Sequence, residues 1–581
     1  MNEIASFLRG KTLLITGTTG FLAKGVIEKI LWSAPDIGRL YLLIRNRRQK
    51  DGSTLTAAER VEAEVLQSTA FARLRALHGA GFREKMREKV VAVAGDLTSP
   101  GLGIDTEMYH RLTQEVDIVV NSAASVTFDE EIDAALQLNT LGARRVLDFA
   151  KNCRKALLLH VSTAYVSGQR IGRIPERLLV PDRSMAQEIG TDTAPFDVER
   201  EIDIMLAAAA TIHESSQSSE QRNVFKKMAL RQNARPTQRW LDAQMETFRK
   251  RWLKEQLIEE GLRLGKRWGW HDSYTLTKAM GEQLIVKHRG ELAVGIVRPA
   301  IVESSLAEPE RGWIEGLKVA DPLIDAISRG RLPDFPADPE VSLDIIPVDI
   351  VVNTILAALP RVARDGGIQV FQVATGDRNP VKFHHLFDLV YDYFQQNPRL
   401  NKQGQPIPIS RWTYPSLDQF RRRYQHRYLT PLSLALWVLD RCSWLPGAAR
   451  WKQRATVVKS AISRMLYYAT IYSPYTVLSC QFEMTRTYEL FESLSPEDQR
   501  VYNCDVSRIL WPEYIQAIHI PGLKRHVLKM EPQGRETTVE EEVAERSGFE
   551  QQQEEPLSSV DTLTDSPDTD ANGSQLDVRA S

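Results

Sequence analysis

The sequence is poor in cysteine and has no long hydrophobic run. Its four cysteines lie far apart without a CxxC pair, which argues against a zinc site or a disulfide framework and indicates a reducing compartment. The most apolar late stretch, 432–439, is followed at once by Asp440 and Arg441, whereas a spanning helix needs about 20 apolar residues. The first residues lack the basic and apolar regions of a secretory signal. We therefore expect a cytoplasmic protein without a metal.

Positive charge is scarce at the carboxyl end. Residues 531–581 hold 14 acidic residues against three arginines and almost no aromatics, so they bury too little surface to offset the entropy of ordering. We predict an acidic, disordered tail there. The rest of the chain carries a net charge near +10, which suits anionic partners such as CoA phosphates or a lipid surface. Because its basic residues are scattered among acids, we expect a mixed solvated surface and no nucleic-acid partner.

Short runs of β-branched residues and leucine recur along the first two thirds of the chain. Such near-continuous apolar strands, alternating with helical patterns, predict a doubly wound α/β fold, a parallel Rossmann sheet covered on both faces. The predicted strands are 12–16, 40–44, 90–94, 116–120, 156–161, 292–297 and 369–374.

Two changes of pattern predict the domain organisation. A polar, helix-prone insertion of about 169–270 separates the fifth and sixth strands, and after 376 helical patterns dominate. We predict a dinucleotide-binding domain at 1–376, a mainly helical domain at 377–530 and the tail at 531–581. The insertion carries an amphipathic stripe at 4-3-4 spacing, Leu241, Met245, Phe248 and Trp252. We expect this stripe to pack on the sheet, with the lining of a substrate channel as the alternative.

The first predicted strand runs into a glycine turn that opens a helix. Gly17 permits the tight turn, Gly20 lets the backbone approach a pyrophosphate, and Ala23 lets helix and strand pack closely. A turn of this kind directly after the first strand predicts a dinucleotide site. The expected contacts are Thr16, Gly17, Thr19, Gly20, Phe21 and Leu22.

The second predicted strand ends on arginines, where an NAD enzyme presents an acid to the ribose 2′-hydroxyl. A guanidinium suits the extra 2′-phosphate of NADP. Arg45, assisted by Arg47 or Arg48, therefore predicts NADPH, and a plain surface cluster of arginines is the alternative.

Later strand ends supply further expected cofactor contacts, because a doubly wound sheet places its ligand crevice at the carboxyl ends of the strands. Asp96 and Leu97 are placed to border adenine, and small residues after the fourth strand leave room for the ribose. The contacts expected at these later ends are Asp96, Leu97, Asn121, Ser122, Ala123, Pro299 and Ile301.

Tyr274 and Lys278 are the predicted catalytic pair. Residues four apart on a helix share a face, so both can reach one nicotinamide ribose. Thr163 and Ser162, at the end of the fifth strand, can hydrogen-bond a substrate carbonyl oxygen. In this hypothesis Tyr274 donates a proton while Lys278 lowers the pKa of the tyrosine. The alternative is that the two hydroxyls only cap the strand end.

In this order, the glycine turn, Thr163, Tyr274 and Lys278 resemble the extended short-chain dehydrogenase/reductase superfamily. Within it the chain is similar to the alcohol-forming fatty acyl-CoA reductases, over about residues 8–530. A departure is Ala23, where the superfamily often has glycine. Aligning Gly168 with the superfamily's strand-end glycine places Thr163 in the catalytic position, with Ser162 as the alternative. The blocks that carry the likeness are ITGTTGFLAKGVIEKIL, LYLLIRNR, NSAASVTF, VSTAYVSG, YTLTKAMGE, IVRPAIVESS and GWIEGLKVAD.

The resemblance implies reduction of a fatty acyl-CoA to a primary alcohol by NADPH. Thr163 and Tyr274 would polarise the thioester, a hemithioacetal would expel CoA, and the aldehyde would be reduced by a second NADPH with Tyr274 as proton donor. A carrier-protein thioester is the alternative substrate. The alternative functions are an aldehyde-forming reductase, a nucleotide-sugar-modifying enzyme of the same superfamily and a non-catalytic NADP-binding scaffold.

Two late segments, 432–439 and 465–475, are apolar. We expect both to be buried within the helical domain. Peripheral contact with a membrane is the alternative, because long acyl chains partition into lipid.

Overall fold

Seven strands form one sheet in the computed structural model, which describes residues 3–233, 235–441 and 447–530. The strands are β1 Thr12–Thr16, β2 Arg39–Ile44, β3 Val90–Ala94, β4 Ile118–Asn121, β5 Leu157–Val161, β6 Val294–Pro299 and β7 Ile368–Val373. Every neighbouring pair in the sheet is parallel, and the strand order is β3-β2-β1-β4-β5-β6-β7. The predicted fold class is confirmed, and each predicted strand is present within two residues of its expected ends.

Both faces of the sheet are covered, as its apolar strands require. Successive side chains of a strand point to opposite faces, so Leu13 and Ile15 of β1 join one core cluster while Leu14 joins another. The first cluster includes Val26 of the helix after β1, and the second includes Leu147 of the helix before β5. The sheet is thereby buried between two helical layers.

Helices connect the sheet strands and extend beyond them. Those outside the insertion and before residue 376 are Glu3–Leu8, Phe21–Ser33, Ala57–Arg60, Ala72–His78, Phe82–Lys89, Thr106–Glu115, Ile132–Ala135, Leu141–Asn152, Ser273–His288, Asp321–Ser328 and Val348–Asp365. Those after residue 376 are Phe383–Gln396, Leu417–Tyr424, Thr430–Arg441, Ala448–Val477, Thr485–Glu492, Pro496–Val501, Trp511–Glu513 and Ile520–His526.

The predicted insertion between β5 and β6 is mainly helical. Its helices are Met185–Glu188, Val198–Gln217, Ser219–Gln232 and Gln238–Arg267. In the amphipathic stripe, Leu241 and Phe248 pack against Phe225 and Ala229 of the neighbouring helix. The stripe therefore packs as a core element, but its partner is another helix of the insertion and not the sheet.

The carboxyl-terminal helices pack tightly on the first part of the chain. Cys480–Phe482 pairs in parallel with Gly172–Ile174, and the backbone N–H of Glu3 donates to Asp498. The described residues up to Met530 form one compact unit, so the boundary near 376 stays a prediction. The predicted acidic tail, 531–581, lies outside the described residues.

The two apolar late segments are less buried than we expected. No residue of helix Thr430–Arg441 is buried, and Leu434 and Trp437 are 62% and 53% exposed. In segment 465–475, Ala469 and Tyr475 are buried whereas Tyr468 is exposed. The expectation of burial is therefore wrong for 432–439 and half right for 465–475. Among the helices of the described part of the chain, none combines the length and apolar character that crossing a bilayer requires.

Candidate active site

A cavity of about 820 Å³ opens at the carboxyl ends of the central strands. This is where a doubly wound sheet binds its ligands. Most of the residues predicted as site residues line it: Gly17, Thr19, Gly20, Phe21, Leu22, Arg45, Asp96, Leu97, Ser122, Ala123, Ser162, Thr163, Tyr274, Lys278, Pro299 and Ile301. Thr16, Arg48 and Asn121 do not.

The glycine turn forms one end of the cavity. Gly17 has a φ of +70°, and a Cβ there would lie 2.7 Å from the backbone nitrogen of Ala123, so no other residue fits without displacing the backbone. Helix Phe21–Ser33 begins directly after Gly20, so its free N–H groups and its dipole point at the turn. This cradle fits the pyrophosphate of a dinucleotide.

Thr16 and Asn121 act from behind the turn. The Thr16 hydroxyl donates to Asn121 Oδ1 at 2.7 Å and accepts from the Ala123 N–H at 3.2 Å. Asn121 Nδ2 lies 3.0 Å from Nδ1 of His160, and burial holds the pKa of His160 well below its usual value. These two predicted contacts therefore shape the cavity wall through Ala123 and do not face the ligand space.

The arginines after β2 differ in their positions and contacts. Arg45 lines the cavity, while Arg47 pairs with Glu64 at 3.0 Å and Arg48 lies outside the cavity wall. Arg60, which we did not predict, also lines the cavity; it donates to the Arg45 carbonyl at 2.6 Å and binds Glu64 through two nitrogens. Arg60, and not Arg47 or Arg48, therefore lies beside Arg45 at the cavity wall. The assistance that we expected from Arg47 or Arg48 stays a prediction.

Tyr274 and Lys278 lie on helix Ser273–His288. Asp272 caps the start of this helix, and its carboxylate accepts from the Thr275 N–H at 2.8 Å. Burial raises the pKa of Tyr274 to about 12, an effect that the Thr163 hydroxyl opposes. Burial also lowers the pKa of Lys278 to about 8. The Lys278 ammonium donates to the Val161 carbonyl at 2.6 Å. Burial is thus the largest influence on the pKa of Tyr274, and the expected lowering of that pKa by Lys278 stays a prediction.

The two candidate hydroxyls at the end of β5 differ in their surroundings. The Thr163 hydroxyl accepts from the Tyr165 N–H at 3.3 Å and lies 3.4 Å from the Pro299 carbonyl. The Ser162 hydroxyl is buried and has no hydrogen-bond partner among the described residues. A buried hydroxyl without a partner is costly, so Ser162 is as well placed as Thr163 to bind an oxygen in the cavity.

Comparison with known proteins places the chain in a family. A family model described as "Male sterility protein" matches residues 15–355, and a second model with that description matches 439–530. Fatty acyl-CoA reductase 2, chloroplastic, of Arabidopsis thaliana is 34% identical over 90% of this chain and 80% of its own length. The alcohol-forming fatty acyl-CoA reductase of Simmondsia chinensis is 32% identical over 91% of this chain and 99% of its own length. The chain belongs to the alcohol-forming fatty acyl-CoA reductase family.

A solved structure shares the fold of this chain. The reductase domain of a nonribosomal peptide synthetase from Mycobacterium tuberculosis aligns with a TM-score of 0.50 at 18% identity, over 90% of this chain and 95% of that chain. At this identity the likeness shows the fold alone. With its family match, the chain is an oxidoreductase that uses a nicotinamide cofactor.

The far wall of the reductase cavity is aromatic, and sequence reasoning missed it. Tyr468 and Tyr472 of helix Ala448–Val477 line the cavity together with Phe128. The Phe128 ring lies 5.9 Å from that of Tyr274 and stacks on Tyr475 at 4.7 Å. The only signal in the sequence was the apolar character of 465–475, which does not say what that segment faces.

A buried polar cluster of the reductase also escaped the sequence analysis. Glu303, Asp321 and His519 place ligand-type atoms within 4.8 Å of one another, and His519 Nε2 lies 3.2 Å from Asp321 Oδ1. Burial, together with the charge of Asp321, raises the pKa of Glu303 well above its usual value. His519 also contacts the hydroxyl of Ser304 at 3.0 Å. The cluster therefore ties the carboxyl-terminal helices to the segment that follows β6.

Proposed function

We propose that this reductase uses NADPH to convert a fatty acyl-CoA into a primary alcohol through an aldehyde. The observation that carries the proposal is the meeting, in one cavity, of the glycine cradle, Arg45 and the Tyr274 helix. An acyl thioester is the substrate that the names of the relatives suggest. The fatty acyl chain suits the apolar and aromatic wall formed by Ile471, Tyr472 and their neighbours.

Three parts of NADPH would contact the cavity wall. The turn at Gly17 and Gly20 would receive the pyrophosphate, and Arg45 would bind the 2′-phosphate. Lys278 would hold the ribose hydroxyls. The bound nicotinamide supplies the hydride in each reduction.

The side chains of the reductase would handle the oxygen and the proton. The hydroxyls of Tyr274 and of Thr163, with Ser162 as the alternative, donate hydrogen bonds to the thioester oxygen as negative charge develops on it. Hydride addition to the carbonyl carbon and protonation of the oxygen give a hemithioacetal. Its collapse re-forms the C=O bond, breaks the C–S bond and passes the hydroxyl proton to the sulfur, so that CoA leaves as the thiol. In the second reduction the aldehyde oxygen takes the hydroxyl proton of Tyr274. Because the pKa of Tyr274 is about 12, this hydroxyl is protonated at neutral pH and can donate.

Product identification with purified protein and excess NADPH tests this function. We expect a long-chain acyl-CoA to give primary alcohol with two NADPH consumed per molecule. Accumulation of aldehyde without alcohol would show an aldehyde-forming reductase. Consumption with an acyl carrier-protein thioester but not with acyl-CoA would reassign the substrate, and no NADPH consumption with either would contradict the proposal.

Two sets of variants test the roles of the side chains. Tyr274→Phe should keep NADPH binding but lower turnover by about 10²-fold or more, whereas the control Tyr468→Phe, at the far wall, should keep turnover. Thr163→Ala and Ser162→Ala identify the hydroxyl that contacts the substrate, because only the loss of that hydroxyl lowers kcat strongly. Unchanged turnover in Tyr274→Phe would refute its role.

A further inference from the structure

Two helices that contact each other carry apolar side chains that the rest of the described chain leaves exposed. They are Thr430–Arg441 and the first part of Ala448–Val477, residues 448–464; we call them the hairpin. Ala448 is the only buried residue among those described in the hairpin. Trp451 and Val457 are each 63% exposed. Exposed patches of this kind mark interaction sites.

The large exposed apolar residues of the first hairpin helix share one face with an arginine. Leu434, Trp437, Val438 and Arg441 recur at spacings of three and four residues, so they lie side by side along the helix. All four are exposed, and the Arg441 guanidinium lies over the Trp437 ring at 3.7 Å. An arginine held against a tryptophan at the edge of an apolar face suits the boundary between lipid chains and headgroups.

The charge of the hairpin is almost all positive. Positions 430–464 contain one acid, Asp440, and it pairs with Lys452 at 2.6 Å. The cationic residues in the same stretch are Arg441, Arg450, Lys452, Arg454, Lys459 and Arg464. Trp451 and Val458, seven residues apart, lie on one face of the second helix between Arg454 on one side and Lys452 and Lys459 on the other.

We propose that the hairpin docks on the surface of an anionic lipid bilayer. Helices that lie in the membrane interface combine tryptophan and aliphatic residues with lysine and arginine in this way, and each cation near an anionic surface adds attraction. A second copy of the chain is a poorer occupant, because pairing two hairpins brings like charges together. The acidic segment 531–581 matches the charge of the hairpin, but it has few apolar residues to cover Leu434, Trp437 and Trp451.

The helix that would meet the lipid also reaches the cavity. Helix Ala448–Val477 carries both Trp451 of the hairpin and Tyr468, Ile471 and Tyr472 of the cavity wall. At 1.5 Å per residue, Trp451 and Tyr468 are separated by roughly 25 Å along the helix. The further step, that acyl substrate enters from lipid or alcohol leaves into it, rests on the proposed function. Binding of the hairpin to the bilayer does not depend on the proposed function.

Flotation of the full-length protein with vesicles, without substrate, tests the docking. We expect binding to phosphatidylcholine vesicles that contain phosphatidylglycerol, weak binding to phosphatidylcholine alone, and release at high salt. The charge variant is Arg450→Gln/Arg454→Gln/Lys459→Gln. It should bind about 100-fold more weakly, from about fivefold per cation. Its matched control neutralises three exposed cations elsewhere, Arg9→Gln/Arg83→Gln/Lys250→Gln, and should bind like the parent protein.

An apolar variant provides the second arm. Leu434→Ser/Trp437→Ser/Trp451→Ser should lower binding to anionic vesicles at least about tenfold. Its control, Leu77→Ser/Ile171→Ser, removes two exposed aliphatic residues outside the hairpin and should leave binding unchanged. Unaltered thermal melting and NADPH binding in every variant show that the fold is kept.

Several results would overturn the docking proposal. Equal binding to neutral and anionic vesicles, or binding that neither hairpin variant reduces, would place the lipid contact elsewhere. Binding only by a chain ending at Met530 would make the acidic segment the occupant. A dimer that the apolar variant dissociates, without vesicle binding, would make a second copy the occupant. Turnover of a long-chain acyl-CoA without vesicles tests the proposed function separately: its absence from the parent protein would refute that function without changing the flotation result.

Discussion

Tyr475 donates a hydrogen bond to the carboxylate of Asp272, although 203 positions separate the two residues in the sequence. Asp272 caps the helix that carries Tyr274, and the Tyr475 ring stacks on Phe128, which contacts Tyr274. The carboxyl-terminal helix thus holds the start of the proposed catalytic helix. The relationship makes Tyr475 a positioning residue for Tyr274.

Tyr475→Phe tests this link. The variant keeps the aromatic ring but removes the donor from a buried carboxylate, so the free energy of unfolding should fall by about 1–3 kcal/mol at pH 7. Denaturant unfolding measures the change. Tyr467→Phe is a matched control, since Tyr467 donates to Asp129 at an exposed site, and it should cost about 0.5 kcal/mol or less. Equal losses of unfolding free energy in both variants would show that the hydrogen bond to Asp272 stabilises the fold no more than an exposed one.

The stability of the protein should depend on pH through Asp272. Burial raises the pKa of this carboxyl to about 6 from 3.8. Its neutral form is therefore the one that the fold favours, and its contribution to stability is present below pH about 4 and is lost as pH rises through about 6. Relative to Asp272→Asn, which does not titrate, the parent protein should lose about 3 kcal/mol over this range. If the free energies of unfolding of the parent protein and of Asp272→Asn differed by the same amount at every pH, Asp272 would not be the titrating group.

Arg45 should discriminate NADPH from NADH, whereas Arg48 should not. Arg45 lines the cavity and Arg48 does not. Loss of a charge-assisted hydrogen bond costs about 1.5–3 kcal/mol, so Arg45→Ala should weaken NADPH binding by about 10- to 100-fold and change NADH binding little. Arg48→Ala removes the same charge nearby and should leave both affinities near those of the parent protein. Fluorescence titration with each nucleotide measures them, and equal losses for NADPH and NADH in Arg45→Ala would count against the 2′-phosphate contact.

Activity should fall above pH about 8 because of Lys278. Burial lowers the pKa of this ammonium to about 8 from 10.5, so it is charged below that pH and loses its proton above it. The pKa of Tyr274, about 12, lies too high to cause the same fall. The kcat/KM for acyl-CoA should therefore decline with one deprotonation near pH 8. Lys278→Arg stays charged, so this variant should be less active but its kcat/KM should not change with pH over this range. A decline near pH 8 that persists in Lys278→Arg would assign the deprotonation to another group.

Local sequence identified the sheet and one side of the site. The glycine turn after β1, the hydroxyls after β5 and the Tyr274 helix could be predicted because each depends on residues close in sequence to a strand end. Arg60 could not be found in this way, since its place beside Arg45 depends on how the helix after β2 folds back. The role of Thr16 and Asn121 as supports behind Ala123 likewise needed the contact between β1 and β4.

The sequence by itself determined the parallel α/β sheet, the cradle at Gly17 and the candidate catalytic pair Tyr274 and Lys278, because periodicity and short-range spacing encode strands, turns and helix faces. Only the tertiary structure decided which late helix closes the cavity, which residue holds Asp272 and which apolar segment stays exposed. Such contacts join residues hundreds of positions apart, as Tyr475 and Asp272 show. Burial of a helix face depends on the neighbours that the whole fold brings to it, and helix Thr430–Arg441 has too few of them to cover Trp437.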